Sequence, residues 1–376
     1  MNNKEEEKSI FVTSPSLPSL DEYVAEICSI FEKKWVTNMG EKHEELEKKL
    51  QNYLDVDNVS LVSNGHMALE IALQSLEMAK GGEIITTPFT FVSTTNAIVR
   101  AGFTPVFCDI NTTDYTIDVD SIENLITEKT VAILPVHVYG NICDVERIQR
   151  IAEKYGLKVI YDAAHAFGVK YKNKGIANYG DISIFSFHAT KVYNSIEGGA
   201  ICTNRDEIKN KVYMLRDFGI KDAESVEYIA PNAKMDEFRA AMGICNLRRV
   251  DDDIEKRRVI VEKYRENLSK ITGITFLNQQ KGVQRNYAYL PITLSSDMRM
   301  GRDELVDNLQ KSNIFVRKYF YPIVSEFDCY KSSYNACETP IALDISKRVI
   351  TLPLYPDLSM EDVERVCYKI WEMEVK

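Results

Sequence analysis

Lys191 follows the apolar run ISIFSF and stands shortly before Gly198 and Gly199. A lysine beside apolar strands gives up its charge more easily, and its amine then serves as a nucleophile or Schiff-base former. Taken alone, such a lysine reads as an ordinary surface residue. Its neighbours in the sequence shift that reading. Asp162 ends the run LKVIYD, and His165 stands three residues later. A carboxylate just past a buried strand meets a cation or a donor, or caps the following turn. Ser63-Asn64-Gly65-His66 ends the run VSLVS and opens the helical stretch HMALEIAL. There Gly65 permits a tight turn, and a helix N-terminus offers N–H groups and positive dipole to an anion. Ser186 lies five residues before Lys191 and can donate to a phosphate. An amine, an acid for a ring nitrogen and a phosphate cup are what an aldehyde-type cofactor requires. His165 and His188 also read as structural histidines, and Gly198 and Gly199 as sites of close chain packing.

The elements that must carry these residues alternate. From residue 59 the runs VSLVS, EIITTP, TPVFCDI, VAILPVHVYG and LKVIYDAA interleave with helical stretches such as HMALEIALQSLEMA and DVERIQRIAEKYG. Strand and helix in alternation indicate a parallel sheet covered on both faces, and continuous apolar strands indicate burial on both sides. In such sheets ligands bind at the carboxyl ends of the strands. ISIFSF and GAICTN read as two more strands joined by a loop. MDEFRAAMGICNLRRVDDDIEKRRVIVEKYRENLSKI reads as one long helix. Beyond it, AYLPITL and IFVRKYFY read as strands, and RDELVDNLQKSN and MEDVERVCYKIWEME as helices. The expectation is an α/β protein with a mobile lead over residues 1–18, a large domain over 19–250 and a smaller α+β domain over 251–376. Ser19 is the expected cap of the first helix.

The 376 residues carry 46 Lys plus Arg against 56 Asp plus Glu, a formal charge of −10. That balance argues against a nucleic-acid binder. No run is long and apolar enough to span a bilayer, and the Glu-rich start lacks the apolar core of a signal peptide. The eight cysteines are scattered without a CxxC pair, so neither a zinc site nor a disulfide framework is indicated. A cytoplasmic protein without a metal site is the expectation.

The segments WVTNMGEKHEELEKKL, SNGHMALEIAL, EIITTPFTFVSTTNAI, YDAAHAFG, SFHATK…EGGA, LRDFG, PNAKMDEFRAAMG and ITLPLYPDLSMEDV resemble, in order, those of the DegT/DnrJ/EryC1/StrS sugar aminotransferases. These are fold-type-I enzymes of pyridoxal 5′-phosphate (PLP), and the resemblance covers nearly the whole chain. It implies that Lys191 is the Schiff-base lysine and that Asp162 pairs with the pyridine nitrogen. His165 stands near the ring's phenolic oxygen, and Phe91 stacks on the ring face. Gly65, His66 and Ser186 hold the phosphate. Asn232 reaches that phosphate from the neighbouring subunit, which implies a homodimer with shared active sites. The chain departs from the common family pattern at Asn64-Gly65-His66, where Ser-Gly-Thr is frequent, and at Pro322-Ile323-Val324, where Pro-Leu-His is frequent.

The segment FVRKYFYP reads either as an edge strand or as a lid over the substrate. In the second reading Arg317 meets a diphosphate, while Tyr319 and Tyr321 stand beside the sugar. L-glutamate is the expected amino donor. The acceptor is a nucleotide-linked keto-sugar, with closest resemblance to the subgroup that aminates C4 of a dTDP-linked 4-keto-6-deoxyglucose. A C3-keto sugar or a UDP- or GDP-linked sugar is the alternative. Two further readings are a cysteine desulfurase using Cys329 or Cys337, and a PLP-fold regulator without catalysis. Intact Lys191, Asp162 and Ser186 count against the regulator.

Overall fold

The computed structural model describes residues 8–375. Among these, seven strands form the main sheet: β1 Asn58–Val62, β2 Glu83–Thr86, β3 Thr104–Phe107, β4 Thr130–Ile133, β5 Lys158–Asp162, β6 Ile182–Ser186 and β7 Gly199–Thr203. Their order is β1-β7-β6-β5-β4-β2-β3. β7 runs antiparallel to both its neighbours, and every other adjacent pair is parallel. The strands read from the sequence for residues 59–203 are therefore present, in a mainly parallel α/β sheet.

Alternate residues of each strand enter opposite cores, as the two-residue period of a strand requires. Val159, Tyr161 and Phe185 join Leu46, Leu50 and Ile148 on one face. Ile160, Ile182 and Ile184 join Ala68, Ile71 and Ala72 on the other. Burial on both faces is why the strand sequences are continuous apolar runs.

A second, three-stranded antiparallel sheet orders β8 Ile274–Phe276, β9 Leu290–Leu294 and β10 Val349–Leu352. It packs with Ile260, Tyr264, Val363 and Ile370. Three expectations change here. The long helix is two, Glu237–Leu247 and Val250–Leu268, parted at Arg248 and Arg249. IFVRKYFY is not a strand: it makes isolated bridges, Ile314 with Ile10 and Arg317 with Thr351, then turns at Tyr319 and Phe320. β10, which starts at Val349 and runs into ITLPLYP, is a strand beyond those read from the sequence.

Of the lead expected to be mobile, residues 1–7 lie outside the described residues. Most of the remainder is docked. Ile10 is buried in the second core, its N–H donates to Asn313 O at 2.8 Å, and its carbonyl accepts from Phe315 N at 2.8 Å. Ser16 donates to Asp253 at 2.5 Å. The short apolar run Ile10-Phe11-Val12 is too brief for a periodic signal, yet with Ser16 it anchors the segment, Val12 O accepting from Leu354 N at 3.1 Å. Helix Leu20–Lys33 begins at Ser19, whose side chain accepts from Glu22 N.

Candidate active site

The carboxyl ends of β1, β5 and β6 and the start of β7 lie on one edge of the main sheet, where Gly199 stands opposite both Val62 and Ser186. A cavity of about 560 Å³ opens there. It brings together Gly65, His66, Phe91, Asp162, His165, Ser186, Lys191, Arg317 and Tyr319 from distant parts of the chain.

Asp162 ends β5 and is buried. Its carboxylate accepts from the Thr94 hydroxyl at 2.8 Å and from Ala164 N at 3.1 Å. Burial pushes its pKa above the ordinary carboxyl value, while those donors and the Lys191 ammonium pull the other way. A buried carboxylate with neutral donors is completed by a cation on its open side. The protonated nitrogen of a pyridine ring is such a cation.

His165 is also buried, and its Nδ1 accepts from Tyr139 N at 3.0 Å. Burial first, and the Lys191 charge second, hold its pKa well below the usual histidine value. The ring is therefore neutral, with its proton on Nε2. That leaves Nε2–H as a donor for a phenolate oxygen.

Lys191 sits in the loop between β6 and β7. Phe187 N donates to Gly198 O at 2.8 Å, Ser195 N to Phe187 O at 3.0 Å, and Lys191 N to His188 O at 2.9 Å. The loop is thereby closed on itself and presents Nζ 5.9 Å from the centre of the Tyr289 ring. His188 is half exposed on the cavity wall, 3.4 Å from Glu197.

The anion end is built from close approaches. A Cβ at Gly65 would meet Ser186 Cβ at 2.7 Å, and one at Gly199 would meet Asn64 C at 2.7 Å. Either side chain would fill the cup or part the strands. Asn64 caps helix Gly65–Ser75 by accepting from Met67 N at 2.9 Å. The His66 imidazole is engaged by Ser93 at 2.9 Å and Glu70 at 3.1 Å. Only its backbone is then left for a phosphate.

Not every expected residue arrives. Tyr321 does not line the cavity; the Arg302 guanidinium lies over its ring at 4.3 Å. The turn at Tyr319 and Phe320 explains this, because it breaks the alternation that would put Tyr319 and Tyr321 on one face. Val324, where the family often has histidine, is fully buried, and its N–H donates to Pro88 O at 2.9 Å. Asn232 is exposed, bridged to Asp217, and outside the cavity of its own chain. The sequence reading missed Thr94, Thr190, Glu197, Tyr289 and Phe320. Thr94 lies within the quoted stretch FVSTTNAI, but only packing shows that its hydroxyl faces Asp162.

The residues present fit PLP: a carboxylate in need of a cation, a neutral imidazole donor, an amine, and a glycine-lined anion cup share one cavity. The chain matches the sequence profile described as the DegT/DnrJ/EryC1/StrS aminotransferase family over residues 20–371. The chain belongs to that family. It is 43% identical over 368 residues to the dTDP-4-amino-4,6-dideoxy-D-glucose transaminase of Shigella dysenteriae, covering 98% of this chain and 100% of the relative. Among solved structures it superposes on DesI, crystallised in the presence of its TDP-sugar product, with a TM-score of 0.93. The identity there is 26%, over 98% of this chain and 94% of DesI. The PLP form of Spr1654 from Streptococcus pneumoniae matches with a TM-score of 0.91 at 25% identity, over 98% of this chain and 99% of that one.

The chain is thus a PLP-dependent sugar aminotransferase of this family. When bound, PLP supplies an aldehyde that receives the amino group and a ring that takes up electrons from the substrate carbon. Among the described residues no helix is long and apolar enough to cross a membrane.

Proposed function

We propose that the protein transfers the amino group of L-glutamate to C4 of dTDP-4-keto-6-deoxy-D-glucose, in the cytoplasm, for deoxyamino-sugar assembly. The observation that carries this is the two-sided cavity. Lys191, Asp162 and the anion cup come from residues 19–250, which we take as the cofactor domain. Arg317 and Tyr319 come from residues 251–376, which we take as the small domain. Similarity along the whole Shigella relative supports the dTDP-linked C4 acceptor.

Each residue then has a task. Asp162 holds the proton on the ring nitrogen. His165 would offer its Nε2–H to the phenolic oxygen, and Phe91 would be the aromatic against the ring. Ser186 and the N–H groups of Gly65 and His66 take the phosphate, joined by the partner subunit's Asn232 in a homodimer. The Lys191 amine holds the cofactor at rest. With PLP bound, the free Lys191 amine would serve as the base and acid that carries a proton to and from the substrate carbon. The same steps run in reverse for the keto-sugar, so one base serves both halves of a ping-pong reaction. Arg317 pairs two oxygens of the diphosphate through its planar fork, and Tyr319 lies against the C6 methyl.

The test is a panel of dTDP-, UDP- and GDP-linked keto-sugars with glutamate as donor, the product's regiochemistry read by NMR. Amination at C4 of the dTDP sugar is the expected outcome. Amination at C3, or a preference for UDP or GDP, would overturn the substrate assignment.

A further inference from the structure

Tyr139 stands in the turn Val138–Gly140 after β4, fully buried between the two sides of the cavity. Its backbone N–H donates to His165 Nδ1 at 3.0 Å, on the cofactor side. Its hydroxyl donates to the carbonyl of Tyr319, on the side we assign to the sugar. Its ring stacks on Phe320 with centroids 6.0 Å apart and planes 14° apart, and meets Phe89 edge-on at 6.1 Å. The residue holds φ at 57°, in the left-handed region. A non-glycine residue keeps that conformation only where its surroundings compel it. Burial raises the phenol pKa well above its ordinary value, so the hydroxyl stays a donor.

We infer that Tyr139 is a positioning residue for the nucleotide-sugar, acting through its hydroxyl on the Arg317–Phe320 segment. The inference rests on the nucleotide-sugar reading above. Arg317 is tied to Thr351 by paired backbone bonds of 3.2 and 2.8 Å, which hold one end of the segment. The Tyr139 hydroxyl holds the other end, at Tyr319 O. The two tied residues, Arg317 and Tyr319, line the cavity together with Phe320. The tautomer of His165 depends instead on the Tyr139 backbone, which substitution of the side chain leaves in place. The two functions of one residue are therefore separable.

Tyr139→Phe removes the hydroxyl and keeps the ring and the backbone. Binding of dTDP to the cofactor-loaded enzyme should weaken about tenfold, the scale expected when a buried carbonyl loses its donor. KM for the keto-sugar should rise by a similar factor. Amide exchange across residues 317–321 should quicken. Per bound cofactor, the glutamate half-reaction should lose less than the sugar half-reaction, because glutamate carries no nucleotide diphosphate for Arg317 to hold. Unchanged dTDP binding and unchanged exchange in the variant would overturn the inference. So would equal losses in both half-reactions per loaded site, which would make Tyr139 a support of the whole site. Wild-type enzyme that binds none of dTDP, UDP or GDP would remove the nucleotide-sugar reading and this inference together. Wild-type binding that the variant retains in full would remove this inference alone.

Discussion

The Thr94 hydroxyl donates to Asp162 Oδ2 across 2.8 Å, and both residues are buried. This neutral donor lowers the cost of a charged carboxylate where burial raises it. Thr94→Val keeps the shape and deletes the donor. PLP affinity should fall roughly ten- to a hundredfold, as for one lost hydrogen bond to a charged group. Fluorescence titration of the apoprotein with PLP reads this directly. Affinity equal to wild type would show that Asp162 does not depend on Thr94.

Lys191 is the amine of the cavity, held by a loop closed at Phe187 and Gly198. Lys191→Ala should lower turnover by about 10³-fold or more, since both the attachment group and the proton carrier are gone. The folded protein should still bind PLP through Asp162 and the anion cup, without the visible band of the lysine-linked cofactor. Appreciable turnover in this variant would refute the role of Lys191.

Much of this arrangement is legible in the sequence, for physical reasons that differ by residue. Strands buried on both faces leave continuous apolar runs, so β1, β5 and β6 announce themselves, and Asp162 and Ser186 inherit positions at their ends. Packing between distant segments leaves no such trace. Thr94, Tyr139 and Tyr289 meet the site only because a helix, a turn and the segment leading into β9 converge there. The break at Arg248 and Arg249 carries neither Gly nor Pro, so helical periodicity runs through it unmarked. The lid reading of FVRKYFYP places Tyr321 beside the sugar, but the turn at Tyr319 and Phe320, which no residue pattern marks, sets its ring against Arg302.

His137 gives a pH prediction with a definite sign. It is fully buried, its Nδ1 accepts from Cys143 N at 3.1 Å, and its ring stacks on Tyr161 at 4.7 Å. Burial lowers its pKa from 6.5 to about 3. Above pH 6.5 both folded and unfolded forms are neutral at this residue. Below it the unfolded chain takes up a proton that the folded protein refuses, so stability falls with pH until about 3. At about pH 5 the loss attributable to His137 is roughly 2 kcal/mol. His137→Asn keeps an acceptor for Cys143 and removes the titration. Its stability difference from wild type, read by urea denaturation, should shift in the variant's favour by that amount between about pH 7 and pH 5. A constant difference would show that His137 titrates normally in the folded state.

Asn232 carries the prediction about assembly. It is exposed, and its own cavity does not include it. Yet its neighbour Ala233 is buried, with its carbonyl accepting from Ser63 N at 2.7 Å and its N–H donating to Arg216 O at 2.9 Å. The backbone on one side of Asn232 is thus fixed while its side chain faces outward, the arrangement expected of a residue offered to a second subunit. If it completes the partner's phosphate cup, two defective chains can restore one another. Lys191→Ala and Asn232→Ala homodimers should each be weak. After subunit exchange, a heterodimer holds one site with both lesions and one with neither. With random exchange, half the dimers are mixed and each has one intact site, so activity should recover to about a quarter of wild type. If Asn232 served its own cavity, every site in the mixture would carry a lesion. No recovery, with exchange verified by mass spectrometry of differently tagged chains, would then end the shared-site assignment and leave the chemistry of Lys191 and Asp162 untouched.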